Sequence, residues 1–272
     1  MSLIPWPDVI SQAREIVAGY DTSVTLRQLF YRLVSAQMIP NTQQTYKGLS
    51  RYTAEARRNG TFPALIDRGR VIHQAPSWAD PVNAMRVLVS QYRVDRTAGQ
   101  SYSLYLAVEK AGLVVQLESW FGELGIPILA LGGYSSQTYA DDVTRHAVTQ
   151  ERPAVLLYAG DHDPSGEDID RDFKARTDCW AEVRRVALTA GQVRAYDLPV
   201  NPGKSADSRA AGFTARHGEL CQVEIDALDP PDLRSLFTEA LDPWWDTSAH
   251  EAALSREDLG RADLVTAMRT LR

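Results

Sequence analysis

Acidic residues directly follow two segments that have the apolar pattern of buried strands. Glu109 comes after SYSLYLAV, and Asp161 and Asp163 come after AVLLYAG. The carboxyl ends of parallel strands meet at one edge of a sheet, so we expect these carboxylates to converge there. Carboxylates held together repel one another unless a cation lies between them, and hard oxygen ligands select Mg²⁺ or Mn²⁺. A single Asp after a strand is usually a helix cap, but DHDPSG places two in one tight turn.

A tyrosine upstream is a second candidate for chemistry, because it points away from the apolar face of its helix. Within TLRQLFYRLVSAQ, Tyr31 lies roughly 130° from the centre of the apolar stripe and beside Arg27, one turn earlier. The phenol is a weak nucleophile at its ordinary pKa of about 10, and a nearby guanidinium favours the phenolate. Periodicity leaves two interpretations open, a nucleophile or a half-exposed tyrosine that packs against a neighbour. The apolar stripe comprises Leu26, Leu29, Phe30, Leu33 and Val34.

The N-terminal third of the chain is predicted to be helical, with one short hairpin. Helices are expected at 6–19, 25–37 and 42–58, followed by a hairpin over FPALIDRGRVIHQ and a further helix at 80–96. The second helix starts at a threonine, which is a preferred capping residue. Three helices followed by a hairpin is the order of a winged helix-turn-helix, a DNA-binding arrangement.

The third of these helices has a cationic side opposite its apolar side. At about 100° per residue, Lys47, Arg51 and Arg58 fall within roughly 40° of one another. Arg68 and Arg70 would extend this surface into the wing of the hairpin. Such a stripe is expected of a helix that lies against DNA phosphates, and the alternative is a solvated basic face. The opposite, core-facing side comprises Tyr46, Leu49, Thr53 and Ala56.

From residue 102 the pattern changes to strands that alternate with helices, which predicts an α/β domain with a mainly parallel sheet. We expect two domains, spanning 1–97 and 98–272. The expected strands are SYSLYLAV, PILALGG, AVLLYAG, VRRVALT and, near 223–228, VEIDAL. The expected helices lie near 111–123, 137–149, 165–178 and 255–271.

The 272-residue chain has a formal net charge of −6, from 29 basic and 35 acidic residues. Hydrophobic residues make up 44% and charged residues 24%, which excludes a disordered or fibrous protein. The charge is unevenly distributed, since residues 1–100 contain 12 Lys and Arg against 7 Asp and Glu. The split predicts a basic N-terminal module that meets an anion and an acidic C-terminal module that holds cations.

Other kinds of site and location are not indicated. The only cysteines, Cys179 and Cys221, are far apart, which argues against a disulfide framework or a cysteine zinc site. The five histidines are scattered, so we expect surface or core residues rather than metal ligands. There is neither a signal-peptide pattern nor a run of about 18 apolar residues, so we expect a cytoplasmic protein without membrane spans.

Two groups of these residues resemble motifs of one protein family. LAVEK, which contains Glu109, followed by LLYAGDHDPSGEDI with its Asp-x-Asp turn, resembles a Toprim domain. Upstream, TLRQLFY resembles the Ser/Thr-x-Arg-x-x-Phe/Tyr-Tyr element in the A subunit of type IIB topoisomerases (topoisomerase VI) and in related meiotic double-strand-break proteins. The resemblance covers about residues 20–230. It implies an N-terminal winged-helix (CAP-like) domain followed by a Toprim domain.

The resemblance implies that Tyr31 attacks a DNA phosphodiester to form a 5′-phosphotyrosyl bond, with Arg27 stabilising the phosphate. It also implies that Glu109, Asp161 and Asp163 bind Mg²⁺ or Mn²⁺. The substrate would be double-stranded DNA, and the tyrosine of one protomer of a homodimer would meet the Toprim site of the other. The chain is shorter than a typical topoisomerase VI A subunit and has no recognisable ATPase module. Strand passage would therefore need a separate ATPase subunit, and DNA binding would associate the protein with the nucleoid.

Downstream residues and the function itself leave alternatives open. Lys204 and Arg209 are candidates for phosphate contacts, and the alternative is an ordinary charged loop. Glu224 and Asp226 are candidates for an extension of the acidic site, and the alternative is a capped strand. The Toprim residues equally fit a nuclease in which a metal-activated water hydrolyses DNA without a covalent intermediate. A third interpretation is a non-catalytic winged-helix component that binds DNA and recruits a partner through its acidic domain.

Overall fold

The computed structural model describes residues 4–66, 74–203 and 206–270, which form an α/β protein with a four-stranded parallel sheet. The α-helices are α1 (Trp6–Ala18), α2 (Leu26–Ser35), α3 (Gln43–Arg58), α4 (Pro81–Gln91), α5 (Val114–Phe121), α6 (Gln137–Thr149), α7 (Pro164–Thr177), α8 (Ala190–Ala195), α9 (Ala210–His217), α10 (Pro230–Leu241) and α11 (Thr247–Thr270). The strands are β1 (Ser103–Val108), β2 (Ile128–Ala130), β3 (Ala154–Ala159), β4 (Trp180–Ala187), β5 (Asn201–Pro202) and β6 (Cys221–Gln222). None of the described helices combines the length and apolar character needed to cross a membrane.

The second and third helices begin where the sequence places them, because a threonine caps each one. The Thr25 hydroxyl accepts a hydrogen bond from the Gln28 N–H at 3.2 Å, and the Gln28 side-chain oxygen accepts one from the Thr25 N–H at 2.9 Å. Thr42 caps α3 through the N–H of its third residue. The three N-terminal helices are confirmed, and their apolar faces meet in one buried cluster. That cluster includes Val9, Ala13, Leu29, Phe30, Leu33 and Leu49.

The predicted hairpin after α3 falls largely on residues outside the described ranges, and so do Arg68 and Arg70. In the described part, the Ile66 N–H donates to the Val24 carbonyl oxygen at 3.0 Å, and Ile66 forms a single parallel bridge with Thr25. This bridge attaches the start of the predicted hairpin to the loop before α2. The winged-helix arrangement as a whole stays a prediction.

Two strands whose residues are all buried form the centre of the sheet. β1 and β3 lie side by side, with β2 and β4 at the edges, in the order β2-β1-β3-β4. All three pairings are parallel, and Leu106 lies level with both Ile128 and Leu157. Helices cover both faces of such a sheet, which explains why the central strands are almost continuously apolar. The predicted parallel sheet is confirmed.

Alternate residues of the central strands supply two separate hydrophobic cores. Leu106 faces a core shared with α5 and α10, whereas its neighbour Tyr105 faces a core shared with α6 and α7. The Glu109 N–H donates to the Ala159 carbonyl oxygen at 3.0 Å, just beyond the last paired residues. The acidic residues that follow β1 and β3 therefore emerge at the same edge of the sheet.

The segment VEIDAL turns rather than forming the expected strand. Val223 makes one antiparallel bridge with His162, and Ile225–Ala227 then form a 3₁₀ turn. The Asp161 carboxylate accepts a hydrogen bond from the Ile225 N–H at 2.8 Å, which removes that donor from a strand ladder. The strand prediction is wrong for this reason, and the turn brings two further acidic residues to the sheet edge.

The fourth and last helices differ from prediction at one end each. α4 ends at Gln91, short of the predicted end, because the next residue is already extended. α11 begins at Thr247, well before the predicted start near 255. The Asp246 carboxylate caps its first turn by accepting a hydrogen bond from the Ser248 N–H at 2.8 Å. Trp244 and Trp245 pack against the core of the sheet, as expected by default.

A buried ion pair joins α11 to the segment between α4 and the sheet. Glu257 is 1% exposed, and its carboxylate accepts hydrogen bonds from Arg96 Nε at 2.9 Å and from Arg96 Nη2 at 2.7 Å. Arg96 also donates to the Glu123 carbonyl oxygen at 2.9 Å. Since a buried charge without its partner is strongly destabilising, this pair fixes the position of α11.

We expect Glu257→Gln to lower the free energy of unfolding by about 3 kcal/mol, because Arg96 then keeps a buried charge without its main counter-ion. Urea unfolding followed by circular dichroism measures the change. Glu251→Gln is the matched control, since Glu251 is exposed on the same helix, and its effect should stay within about 0.5 kcal/mol. A wild-type unfolding midpoint for Glu257→Gln would contradict the proposed role of the pair.

Candidate functional site

A cavity of about 410 Å³ opens at the carboxyl edge of the sheet, where α2 packs against the 3₁₀ turn Ile225–Ala227. Its lining includes Arg27 from α2, Glu109 after β1 and Asp161 after β3. The parallel register of β1 and β3 brings the two acidic residues together, and the 3₁₀ turn adds Asp226. Residues far apart in the chain thus share one cavity.

Lys110 lies at the centre of the acidic residues. Its Nζ is 2.6 Å from Glu224 Oε2, 2.9 Å from Asp161 Oδ1 and 3.6 Å from Asp226 Oδ2. Burial alone would lower the pKa of Lys110, but the three carboxylates outweigh it and raise that pKa above its ordinary value. We call Lys110, Asp161, Glu224 and Asp226 the Lys110 cluster. The chain supplies the cluster with a cation of its own.

Both candidate residues of α2 are attached to this cluster through Glu224. The Tyr31 hydroxyl donates a hydrogen bond to Glu224 Oε1, and Arg27 Nη2 donates one to Glu224 Oε2 at 2.9 Å. Burial acts against ionisation of Glu224, but Lys110 and these two donors hold its pKa below the ordinary value. Glu224 is therefore a carboxylate with donors on both of its oxygens.

Tyr31 holds its proton more tightly than the sequence suggests. Burial and the hydrogen bond to Glu224 raise the pKa of Tyr31 well above its ordinary value. Arg27, whose guanidinium lies 5.6 Å from the centre of the Tyr31 ring, favours the phenolate as expected, but its effect is smaller. Arg27 thus acts in the expected direction, but burial and Glu224 outweigh it, so the net pKa of Tyr31 is raised.

Glu109 and Asp161 are coupled through the backbone. Glu109 Oε2 accepts a hydrogen bond from the Asp161 N–H at 2.9 Å. Burial, together with the neighbouring Asp161 carboxylate, raises the pKa of Glu109 to about 7. A side chain at Gly166 would collide with the Asp161 carbonyl and approach Glu109 Oε2, so this turn requires glycine.

The two aspartates of the DHDPSG turn have different roles. Asp163 Oδ1 accepts a hydrogen bond from the Gly166 N–H at 2.7 Å and caps α7. Asp161 instead pairs with Lys110 and belongs to the Lys110 cluster. Asp226 is also buried there, burial raises its pKa, and its Oδ1 has no hydrogen-bond partner among the described residues. The structure thus gathers Glu109, Asp161 and Asp226, while Asp163 acts as a helix cap.

The predicted DNA-binding residues of α3 are exposed. Lys47, Arg51 and Arg58 lie opposite the buried Leu49 and Thr53, as the helical periodicity predicts. The Arg51 guanidinium lies 4.6 Å from the ring centre of the adjacent tyrosine. Within 4–66, 74–203 and 206–270, these three cations form no ion pair. No acidic side chain in the described part of the chain therefore neutralises this basic face.

The downstream phosphate candidates give a different result. Lys204 lies outside the described residues. Arg209 Nε donates to Asp207 Oδ1 at 2.8 Å, and Arg209 Nη2 donates to Ser165 Oγ at 2.9 Å. The Tyr134 hydroxyl accepts a further hydrogen bond from Arg209. Because these contacts occupy the guanidinium within the protein, they favour the alternative that Arg209 is part of an ordinary charged loop.

Sequence reasoning missed the central position of Lys110. Its position directly after Glu109 was visible, but no local pattern shows that residue 224 approaches residue 110. Comparisons of the chain with models of known protein families and with curated proteins found no match. The side chains that the fold brings together are therefore the main indication of a function.

We expect Lys110→Met to destabilise the protein by about 3 kcal/mol at neutral pH, because three buried carboxylates lose their shared cation. The pKa values of these carboxylates then rise in the folded state, so stability falls as pH increases. The difference in the free energy of unfolding between variant and wild type should accordingly shrink below about pH 4, where the carboxylates are protonated in both the folded and the unfolded state. Thermal unfolding of both proteins across a pH series measures this difference.

Lys174→Met is the matched control, because Lys174 is an exposed lysine of α7. It should leave the stability and its pH dependence nearly unchanged. A pH-independent deficit for Lys110→Met would show that the lysine contributes through packing rather than through its charge.

Proposed function

We propose that this protein cleaves double-stranded DNA by transesterification, in the manner of a type IIB topoisomerase A subunit. The observation that carries the proposal is the hydrogen bond from Tyr31 to Glu224, which joins α2 to the Lys110 cluster. TLRQLFY, LAVEK and DHDPSG lie far apart in the chain, yet their candidate residues meet at one edge of the sheet. If the three motifs resembled the family only by chance, there would be no reason for their residues to lie together in the fold.

The order of the elements supports the same proposal. Three helices with a common core come first, and a parallel sheet with an acidic edge follows. This order fits a winged-helix domain over 1–97 and a Toprim domain over 98–272. The exposed basic face of α3 would contact the DNA backbone.

The oxygen donors at the sheet edge fit a hard divalent cation. Glu109, Asp161 and Asp226 line one cavity, and the buried Oδ1 of Asp226 has no hydrogen-bond partner among the described residues. We propose that these carboxylates, with Asp163 as the further ligand implied by the family, would hold Mg²⁺ or Mn²⁺. When bound, the cation polarises the phosphate and neutralises the charge that develops on it.

The residues of the chain account for the bond changes. The Tyr31 oxygen attacks phosphorus, so a new O–P bond links the tyrosine to the 5′ phosphate, while the bond from phosphorus to the 3′ oxygen breaks. The phenolic proton passes to a carboxylate at the acidic edge where the tyrosine acts, the role of hydrogen-bond acceptor that Glu224 has in this structure, and the 3′ oxygen takes a proton from water. The Arg27 side chain is 56% exposed and can turn towards the phosphate to stabilise its negative charge.

One observation favours a second candidate function, hydrolysis of DNA by water. The raised pKa of Tyr31, caused first by burial and then by Glu224, keeps its hydroxyl protonated and weakly nucleophilic. A water molecule that attacks the same phosphate needs no phenolate and leaves a free 5′-phosphate. The two functions differ in whether the protein stays covalently attached to the cut DNA.

The proposal also includes a homodimer, a separate ATPase subunit for strand passage and association with the nucleoid. In the dimer that the family implies, Tyr31 acts at the acidic edge of the partner. Tyr31 contacts Glu224 of its own chain in this structure. The phenol would therefore have to leave its own Glu224 before cleavage.

We expect Tyr31→Phe to abolish covalent protein–DNA adducts and DNA cleavage, because the variant lacks the attacking oxygen. The assay incubates the protein with plasmid and Mg²⁺ or Mn²⁺, denatures it, and separates protein-linked from free DNA ends. Tyr46→Phe is the matched control, since Tyr46 is another half-buried tyrosine that packs against Phe30. Undiminished cleavage by Tyr31→Phe with free 5′-phosphate ends would support the hydrolytic function instead.

The same variant tests the dimer. Tyr31→Phe and Glu109→Gln, each inactive alone, should together restore nicking of one strand, because a mixed dimer contains one complete site. Sites built within a single chain would give no restoration, which would contradict the trans arrangement.

We expect Arg51→Ala to weaken DNA binding uniformly across duplex sequences and to reduce the slope of log K against log salt by about 1, since one phosphate contact is lost. Fluorescence anisotropy over a salt series measures both effects. Arg256→Ala is the control, because Arg256 is an exposed arginine of a different helix, α11. Equal losses for the two variants would contradict a specific role for α3.

A further inference from the structure

Two histidines that are far apart in the sequence meet a glutamate beside the DHDPSG turn. His162 lies in the turn itself, Glu167 lies in the first turns of α7, and His217 is the last residue of α9. One ligand atom from each of the three side chains lies within 4.8 Å of the other two. Their scattered positions in the sequence do not show this proximity, which arises because α9 packs against α7.

One of these side chains has a nitrogen that the described protein does not satisfy. The His162 side chain is 2% exposed, and its Nδ1 has no hydrogen-bond partner among the described residues. This Nδ1 lies 3.9 Å from Glu167 Oε1, and the His162 ring packs edge-on against the His217 ring at 4.8 Å. Buried polar atoms in folded proteins almost always have a hydrogen-bond partner or a ligand, so an unpaired nitrogen here requires an explanation.

We propose that His162, Glu167 and His217 form a binding site for a transition metal ion of the zinc type. Two imidazoles and one carboxylate are a donor set that Zn²⁺ binds tetrahedrally and that Mg²⁺ does not prefer. This site goes beyond the proposed DNA cleavage and is separate from the carboxylate donors of the sheet edge. It leaves a fourth coordination position for water.

Zinc binding would require only small movements of these side chains from their positions in the structure. Ligand atoms around tetrahedral zinc lie about 3.3 Å apart. The 3.9 Å between His162 Nδ1 and Glu167 Oε1 would shorten, and the 2.6 Å hydrogen bond between His217 Nε2 and Glu167 Oε1 would lengthen as its proton leaves. Arg216 Nη2 already holds the other carboxylate oxygen at 2.8 Å, which orients Glu167 as an outer partner orients a metal ligand.

The alternative is an ion pair without a metal. His217 and Arg216 both contact Glu167, and these contacts alone can hold α9 against α7. That alternative gives no partner to His162 Nδ1, whereas a metal ion does. A bound ion would tie three elements together: the turn that carries Asp161 and Asp163, the start of α7, and the end of α9.

The experiment titrates metal-free, full-length protein with Co²⁺ in excess Mg²⁺, which occupies oxygen ligands and leaves imidazoles to cobalt. Wild-type protein should bind a single equivalent with the intense visible absorption of tetrahedral Co²⁺, and Zn²⁺ should displace it. His217→Ala and Glu167→Gln should lose this absorption and weaken Zn²⁺ binding by at least about tenfold. His250→Ala is the matched control, since His250 is a half-buried histidine of α11 that contacts the Arg96 carbonyl oxygen.

Circular dichroism of each metal-free variant shows whether it is folded, and Glu167→Gln keeps the shape of the side chain if His217→Ala fails to fold. The proposal is overturned if wild-type protein shows no tetrahedral absorption, or if both folded variants keep it. Neither result depends on whether the protein cleaves DNA, so this proposal and the proposed function can fail separately.

Discussion

The ammonium group of Lys110 is the charge on which the arrangement of the sheet edge depends. Asp161, Glu224 and Asp226 come from separate segments, and each lies within 3.6 Å of that ammonium. Buried carboxylates are stable in such a position only beside a cation, so β1, β3 and the turn before α10 must adopt one relative arrangement. α2 joins the same arrangement through Tyr31 and Glu224. The position of the N-terminal helices is thus coupled to the electrostatics of the sheet.

Local patterns in the sequence were sufficient to predict most elements. The cap at Thr25 and the apolar periodicity of α2 depend on residues within a few positions of one another. The buried runs of β1 and β3 are likewise visible in the sequence, because both faces of a central parallel strand are covered. The end of α4 was not predictable locally, because no residue type near Gln91 marks where the backbone becomes extended.

The candidate site could be predicted only in part, for the same reason. The positions of Glu109 and Asp161 follow from the rule that parallel strands end at one edge. The two aspartates of one turn have different roles because Asp163 satisfies the first amide groups of α7, which a count of acidic residues does not show. The approach of Glu224 to Tyr31, and of His217 to His162, depends on tertiary contacts that no spacing in the sequence records.

Glu224 pairs with three side chains that could otherwise bind a phosphate group. Its carboxylate is a planar anion that takes up the phenol of Tyr31, the guanidinium of Arg27 and the ammonium of Lys110, the donor types that a phosphate group would use. Under the proposed function, an incoming phosphodiester would have to displace this carboxylate before it could reach those donors. The apparent affinity for DNA would then be the intrinsic affinity multiplied by the fraction of molecules in which the carboxylate has withdrawn. If the protein binds DNA as proposed, a single side chain would thus limit that binding from within the same chain.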